Sequence, residues 1–205
     1  MKEWLGRWLR QCLAMAIGGC FEEWQIQVIS FMAGRISSPA VATHNGILQV
    51  FLVLDSLMFG PMNATTVRIA HHLSQEDPET GKKVMRFSYT VASSVALLVA
   101  LGFILGRHHI GHIFTSDPGI LDLATELSPL CGACYVMLCL GLMSLATLDA
   151  QCRPATMAGV FFFGGWLVSL PLAWVLAFKV DLGLPGLWYG MAGGYLVIML
   201  MSVIQ

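Results

Sequence analysis

Two glutamates, Glu22 and Glu23, stand side by side inside an otherwise apolar run, and Gln25 and Gln27 follow within the next turn and a half. A charged group at the centre of a bilayer costs at least about 2.5 kcal/mol, so carboxyls in such a run need a reason. Glu22 lies ten residues after Cys12, where the run begins. That is about 15 Å along a helix, close to the middle of a membrane. Two carboxyls this close in a low dielectric cannot both ionise easily, so at least one is expected to be protonated. Such a group can exchange its proton for a cation, the two ligands competing for one charge. The alternative is a protonated pair that bonds to neighbouring helices and serves packing alone. Asp55, six residues before Pro61, is the third acid inside an apolar run. It is read either as interfacial and paired within the helices, or as part of a transport path.

Other groupings are weaker. His108, His109 and His112 with Asp117 contain an i,i+4 histidine pair but lack a well-placed fourth ligand, so they are not read as a metal centre. Cys131-Gly132-Ala133-Cys134 has zinc or redox spacing, but it has no second CxxC and opens an apolar helix. Its cysteines are read as small packing residues. The sequence contains no phosphate-binding loop, dinucleotide fingerprint or hydrolase motif, which argues against an enzyme and against a cofactor.

These side chains need elements to hold them, and the composition says which. Of 205 residues, 57% are hydrophobic and only 11% charged, with a mean hydropathy of +0.73. A soluble domain carries about 25% charged residues, so an ordinary soluble enzyme is excluded. Eleven Lys and Arg against twelve Asp and Glu leave no basic excess for nucleic acid. A membrane-crossing helix needs about 20 mostly apolar residues, and six stretches qualify: 12–33, 41–62, 87–106, 131–148, 155–178 and 184–204. The fold class is therefore all-α, a polytopic bundle of six transmembrane helices forming a single domain over residues 1–205. Glu22 and Glu23 interrupt the first run, which also lacks a cleavage site, so it is not read as a signal peptide.

Lys2, Arg7, Arg10, Arg68, Lys82, Lys83, Arg86 and Arg153 collect on one side, against Arg35, Arg107 and Lys179 on the other. The bias places both termini in the cytoplasm. The longest polar connection, 70–86, then lies on the same side, as does the Asn63-Ala64-Thr65 sequon, where no glycan is expected. Between the third and fourth runs, 107–128 is read as an interfacial amphipathic segment with Ile110, Ile113 and Phe114 on one face, broken at Asp117-Pro118-Gly119. Pro171 should kink the fifth helix. Gly186, Gly190 and Gly194, spaced by four, should let the sixth helix approach a neighbour closely.

The order of several short motifs resembles the eukaryotic multidrug and toxic compound extrusion (MATE) transporters. Cys20-Phe21-Glu22-Glu23-Trp24 resembles the Cys-Leu-Glu-Trp-Trp run of that family's seventh helix. Gly60-Pro61-Met62-Asn63-Ala64-Thr65-Thr66-Val67-Arg68 is similar to its stretch of proline, small residues and Arg-Val, and Asp77-Pro78 stands where it has a Gly/Asn-Pro loop. Ile113-Phe114-Thr115-Ser116-Asp117 resembles its Leu-Phe-Ser-Ser-Asp. Leu170-Pro171-Leu172 and Gly186-Leu187-Trp188-Tyr189-Gly190 resemble motifs of its last two helices.

The resemblance implies one six-helix lobe, the C-terminal one, of a twelve-helix antiporter that exchanges H⁺ or Na⁺ for organic cations and other drugs. It places the lobe's cation- and substrate-binding acid on Glu22. Glu23 replaces a family tryptophan, a second family carboxylate falls on Gln27, and the family's Arg-Gly-x-Gly stretch is not kept around Arg153. Glu22, Glu23, Gln27 and Asp55 are thus the candidate substrate- and ion-binding residues. The expected partners are H⁺ or Na⁺, an organic cation or drug, the lipid bilayer, and a second six-helix lobe, with no nucleic acid. The competing readings are a truncated, transport-inactive fragment, which the apolar run ending at Gln205 would fit, a half-size transporter acting as a homodimer, and a channel or intramembrane enzyme. The plasma and vacuolar membranes are not distinguished.

Overall fold

The computed structural model describes residues 2–204, all of its regular structure helical. Six long rods are joined by tight connections: α1 (Lys2–Ile36), α2 (Ser38–Ser74), α3 (Pro78–Leu105), α5 (Pro118–Ala150), the continuous rod Pro154–Lys179, and α8 (Leu184–Ile204). A short α4 (Arg107–Ile110) and a 3₁₀ turn (Gly111–Ile113) link α3 to α5. The Pro154–Lys179 rod consists of α6 (Pro154–Phe161), a π-helical stretch (Phe162–Ser169), α7 (Leu170–Trp174) and a second π stretch (Val175–Lys179). Among the described residues, five of the rods, all but α1, are long and apolar enough to cross a membrane. Two glutamates and two glutamines close together lower the hydropathy of α1. The architecture is an all-α membrane bundle.

Local chemistry ends and restarts the helices. After α2, Glu76 takes a left-handed φ of 58°, and the Asp77 N–H donates to the His72 carbonyl at 3.0 Å. After α5, Cys152 does the same with a φ of 56°, and the Arg153 N–H donates to Leu148 at 3.3 Å. Both are helix stops that satisfy otherwise orphaned carbonyls, and both are followed at once by a proline, Pro78 or Pro154, opening the next helix. Asp77 Oδ1 accepts from the Thr80 N–H at 3.1 Å. Asp117 Oδ1 caps α5 by accepting from the Gly119 and Ile120 N–H groups at 2.9 and 3.3 Å. α5 therefore starts at Pro118, well ahead of the apolar run that begins at Cys131.

α5 is the hub, packed against α2, α3 and α8. The Phe51 ring of α2 meets Phe103 of α3, Tyr135 of α5 and Trp188 of α8 with centroids 5.5, 5.1 and 5.4 Å away, so one side chain ties four helices. α8 lies against the Pro154–Lys179 rod through its glycines. A Cβ on Gly186 would strike the backbone of Leu176 and Ala177, one on Gly190 would strike Ala173, and one on Gly194 would strike Ser169. The four-residue spacing is thus a packing seam. On the rod's side, Pro171 withdraws one N–H, and the wider π turns lie on either side of it.

One expectation needs adjustment. Ile113 does not share a buried face with Ile110 and Phe114. Ile110 is buried and the Phe114 ring lies over Gly46 of α2, whereas Ile113 is 70% exposed. The helix changes from α to 3₁₀ after Ile110, so the 3.6-residue spacing does not carry through. Of the basic residues counted for orientation, the side chains of Lys2, Arg7 and Arg10 lie outside the described ones.

Candidate functional site

Glu22 projects from the middle of α1 and is half-buried. It lines a cavity of about 260 Å³ enclosed by α1, α2, α5 and α6. Small residues open the space: Gly18 and Gly19 on α1, Ala146 on α5 and Ala158 on α6. Met62, Met157 and Phe161 give it a soft apolar wall, and Asn63, Thr66 and Asp149 join Glu22 as its polar groups. The lining runs from mid-α1 toward the end of the lobe that carries the α2–α3 and α5–α6 connections.

The backbone around Glu22 is clamped. One residue before it, the Phe21 carbonyl accepts a hydrogen bond from the Trp166 indole N–H at 2.9 Å. Phe21 also packs against Phe162 and Trp166, at centroid distances of 5.1 and 6.1 Å. Three residues after Glu22, the buried Gln25 amide donates to Ser169 Oγ at 3.0 Å. Its Oε1 lies over Gly165, where a Cβ would come within 2.8 Å of it. Both clamps reach the π-helical stretch, and Gly165 there is what lets Gln25 in. An irregular helix opposite a buried acid fits the frequent placing of π turns at functional sites.

The four sequence candidates separate in space. Glu23 and Gln27 are exposed, turned away from the cavity. Asp55, half-buried on α2, faces the Tyr135 hydroxyl and Cys139 thiol of α5 rather than the cavity. Asp55 Oδ1 and the Tyr135 hydroxyl are near one another, yet neither completes a well-formed hydrogen bond. Glu22 feels Glu23 and Asp55 as like charges, so the three acids are electrically linked although only one opens on the cavity. Among the described residues no Lys or Arg forms an ion pair with Glu22.

Sequence reasoning passed over Asn63, Thr66 and Asp149. Asn63 and Thr66 are one turn apart on α2, and Thr66 Oγ1 donates to the Ala146 carbonyl of α5 at 3.1 Å, which seats it at the wall. Asp149 had a readable signal. An acid in the last turn of a helix opposes the helix dipole, so its presence at the end of α5 needed an explanation other than capping. The CxxC cysteines behave as packing residues: both are buried and unpaired, and the Cys134 thiol donates to the Trp188 carbonyl at 3.3 Å. His108 accepts from the Arg107 guanidinium at 3.1 Å. Among the described residues no group of His, Cys, Asp and Glu is arranged to hold a metal ion.

Known proteins are similar to this chain in sequence and in fold. Protein DETOXIFICATION 55 of Arabidopsis thaliana is 29% identical over 187 residues, covering 90% of this chain and 36% of its own length. Multidrug and toxin extrusion protein 1 of Homo sapiens is 26% identical over 194 residues, covering 93% and 33% respectively. The chain thus spans about a third of the length of these relatives. The crystal structure of the eukaryotic MATE transporter AtDTX14 superposes with a TM-score of 0.83 at 20% identity, over 98% of this chain and 46% of that one. The lobe therefore has the fold of one part of such a transporter. The MatE family model matches residues 14–175, through the helices that build the Glu22 cavity and its clamps, and the chain belongs to that family.

Proposed function

We propose that this chain is one lobe of a secondary antiporter that exchanges H⁺ or Na⁺ for organic cations or other xenobiotics. The observation that carries the reading is Glu22, a half-buried acid without a basic ion-pair partner among the described residues, on the wall of a cavity between α1, α2, α5 and α6. Ionised, the carboxylate attracts a cation, and the Met62, Met157 and Phe161 wall suits its apolar body. Protonated, it no longer does. Proton entry and cation release are then two descriptions of one competition. Asp149 adds a second negative group toward the connection end of the cavity, and Asn63 and Thr66 supply neutral acceptors. Glu23 and Asp55 act on Glu22 through their charge, and Gln27 lies on the outer face of the same helix.

Alternating access requires a second six-helix lobe moving against this one, from the same polypeptide or from another copy. The names of the relatives, multidrug and toxin extrusion and detoxification, support the substrate class. The test is uptake of a fluorescent organic cation into proteoliposomes after a pH jump and, separately, a Na⁺ jump, with a complementary lobe present. Glu22→Gln is expected to abolish gradient-driven uptake. Unchanged uptake in that variant rejects the mechanism.

A further inference from the structure

A second cavity, of about 420 Å³, lies between α2 and α3, apart from the Glu22 site. Its walls are mostly apolar, with Pro61 and Ala64 from α2 and Val84, Phe87 and Val91 from α3, and the hydroxyl residues Thr65 and Ser88 between them. At one end stand two cations, Arg68 and Lys83, one from each helix and both exposed. No acid lines the groove. Among the described residues neither cation forms an ion pair, although Asp77 and Glu79 at the start of α3 feel the charge of Lys83.

The order of these residues along the two helices matters. Arg68 lies near the end of α2 and Lys83 near the start of α3, so both charges sit at the level of the α2–α3 connection. From Arg68 to Pro61, and from Lys83 to Val91, the groove descends roughly 10–12 Å along each helix into apolar surface. A soluble anion would match the charged end and leave the apolar walls wet. A neutral apolar molecule would match the walls and leave two cations without a counter-charge. An amphiphile with an anionic head and an acyl chain matches both.

We infer that the α2–α3 groove binds an anionic phospholipid, its phosphate between Arg68 and Lys83 and one acyl chain along Val84, Phe87 and Val91. The test is native mass spectrometry of the full chain in detergent, with phosphatidylglycerol, phosphatidylcholine or inorganic phosphate added separately. Phosphatidylglycerol should be retained over phosphatidylcholine, and each of Arg68→Gln and Lys83→Gln should lower that preference about fivefold. Lys82→Gln, on the same helix outside the groove, should leave it unchanged. Ala64→Trp, which fills the apolar part, should reduce retention of both lipids. Equal retention of the two lipids, an equal loss in Lys82→Gln, or retention unaffected by Ala64→Trp overturns the assignment. Displacement of the lipid by inorganic phosphate alone would make it a simple anion site and overturns it as well.

Discussion

Gly190 and Gly102 are both helical glycines in membrane-spanning rods, and the same substitution should act on them with opposite sign. A Cβ on Gly190 would lie inside van der Waals contact of the N, Cα and Cβ atoms of Ala173. Two of those atoms are backbone, so no side-chain rotation relieves the clash. α8 would have to move off the Pro154–Lys179 rod, loosening the seams at Gly186 and Gly194 together. Overpacking of this kind costs about 1–3 kcal/mol. A Cβ on Gly102 meets nothing within 4 Å, and alanine in place of glycine within a helix gains about 0.8–1.0 kcal/mol. For a chain of this size 1 kcal/mol moves the melting temperature by roughly 2–4 °C. Gly190→Ala should therefore melt about 2–12 °C lower and Gly102→Ala about 2–4 °C higher. The assay can use the buried, unpaired thiols of Cys131, Cys134 and Cys139, whose labelling by a thiol-reactive dye during a thermal ramp reports the opening of the lobe. Gly190→Ala melting with or above the parent chain would refute the close seam. A Gly102→Ala melting point below the parent's would refute the assignment of Gly102 to open surface.

Further outcomes follow from the site. Gln25→Leu leaves the buried Ser169 hydroxyl without its donor, which should destabilise the lobe by about 1–3 kcal/mol. The Gln25→Leu/Ser169→Ala pair should cost less than the sum of the single changes in the same melting assay. Gly19 lines the Glu22 cavity and its Cβ position is open, so Gly19→Leu should fill the cavity and stop organic-cation uptake without lowering the melting temperature. A concurrent drop in stability would show that the position is packed. Asp77 is held below the usual carboxylate range, first by its hydrogen bond to Thr80 and then by His72 and Lys83. Its contribution is therefore present above about pH 4 and lost as the pH falls through the lower folded value. Asp77→Asn should flatten that part of a stability–pH curve, and an unchanged curve would remove Asp77 as its source.

The fold was legible because its causes are local. Six apolar runs, prolines that open helices and the four-residue glycine spacing are all one-dimensional signals, and the glycines do lie in a helix seam. Helix ends were less legible. Residues 118–130, where Asp122, Thr125, Glu126 and Ser128 interrupt the aliphatic side chains, form helix because the Asp117 cap and the packing of α5 select it. Within the site, Glu22 could be picked out because an acid in an apolar run has few cheap alternatives. Its neighbours could not be ranked that way. Glu22 and Glu23 are adjacent in sequence, yet about 100° apart around a helix, and only knowledge of where α2, α5 and α6 lie assigns one to the cavity and the other to the outer face. Asn63, Thr66 and Asp149 become cavity residues only through contacts between helices far apart in the chain. The sequence by itself determined the solvent, the secondary structure and the one acid that must be accounted for, since these depend on composition and short-range spacing. Tertiary structure decided which polar groups share a cavity and which backbone clamps hold them, because those depend on the rotation of each helix about its axis, and that is set by packing.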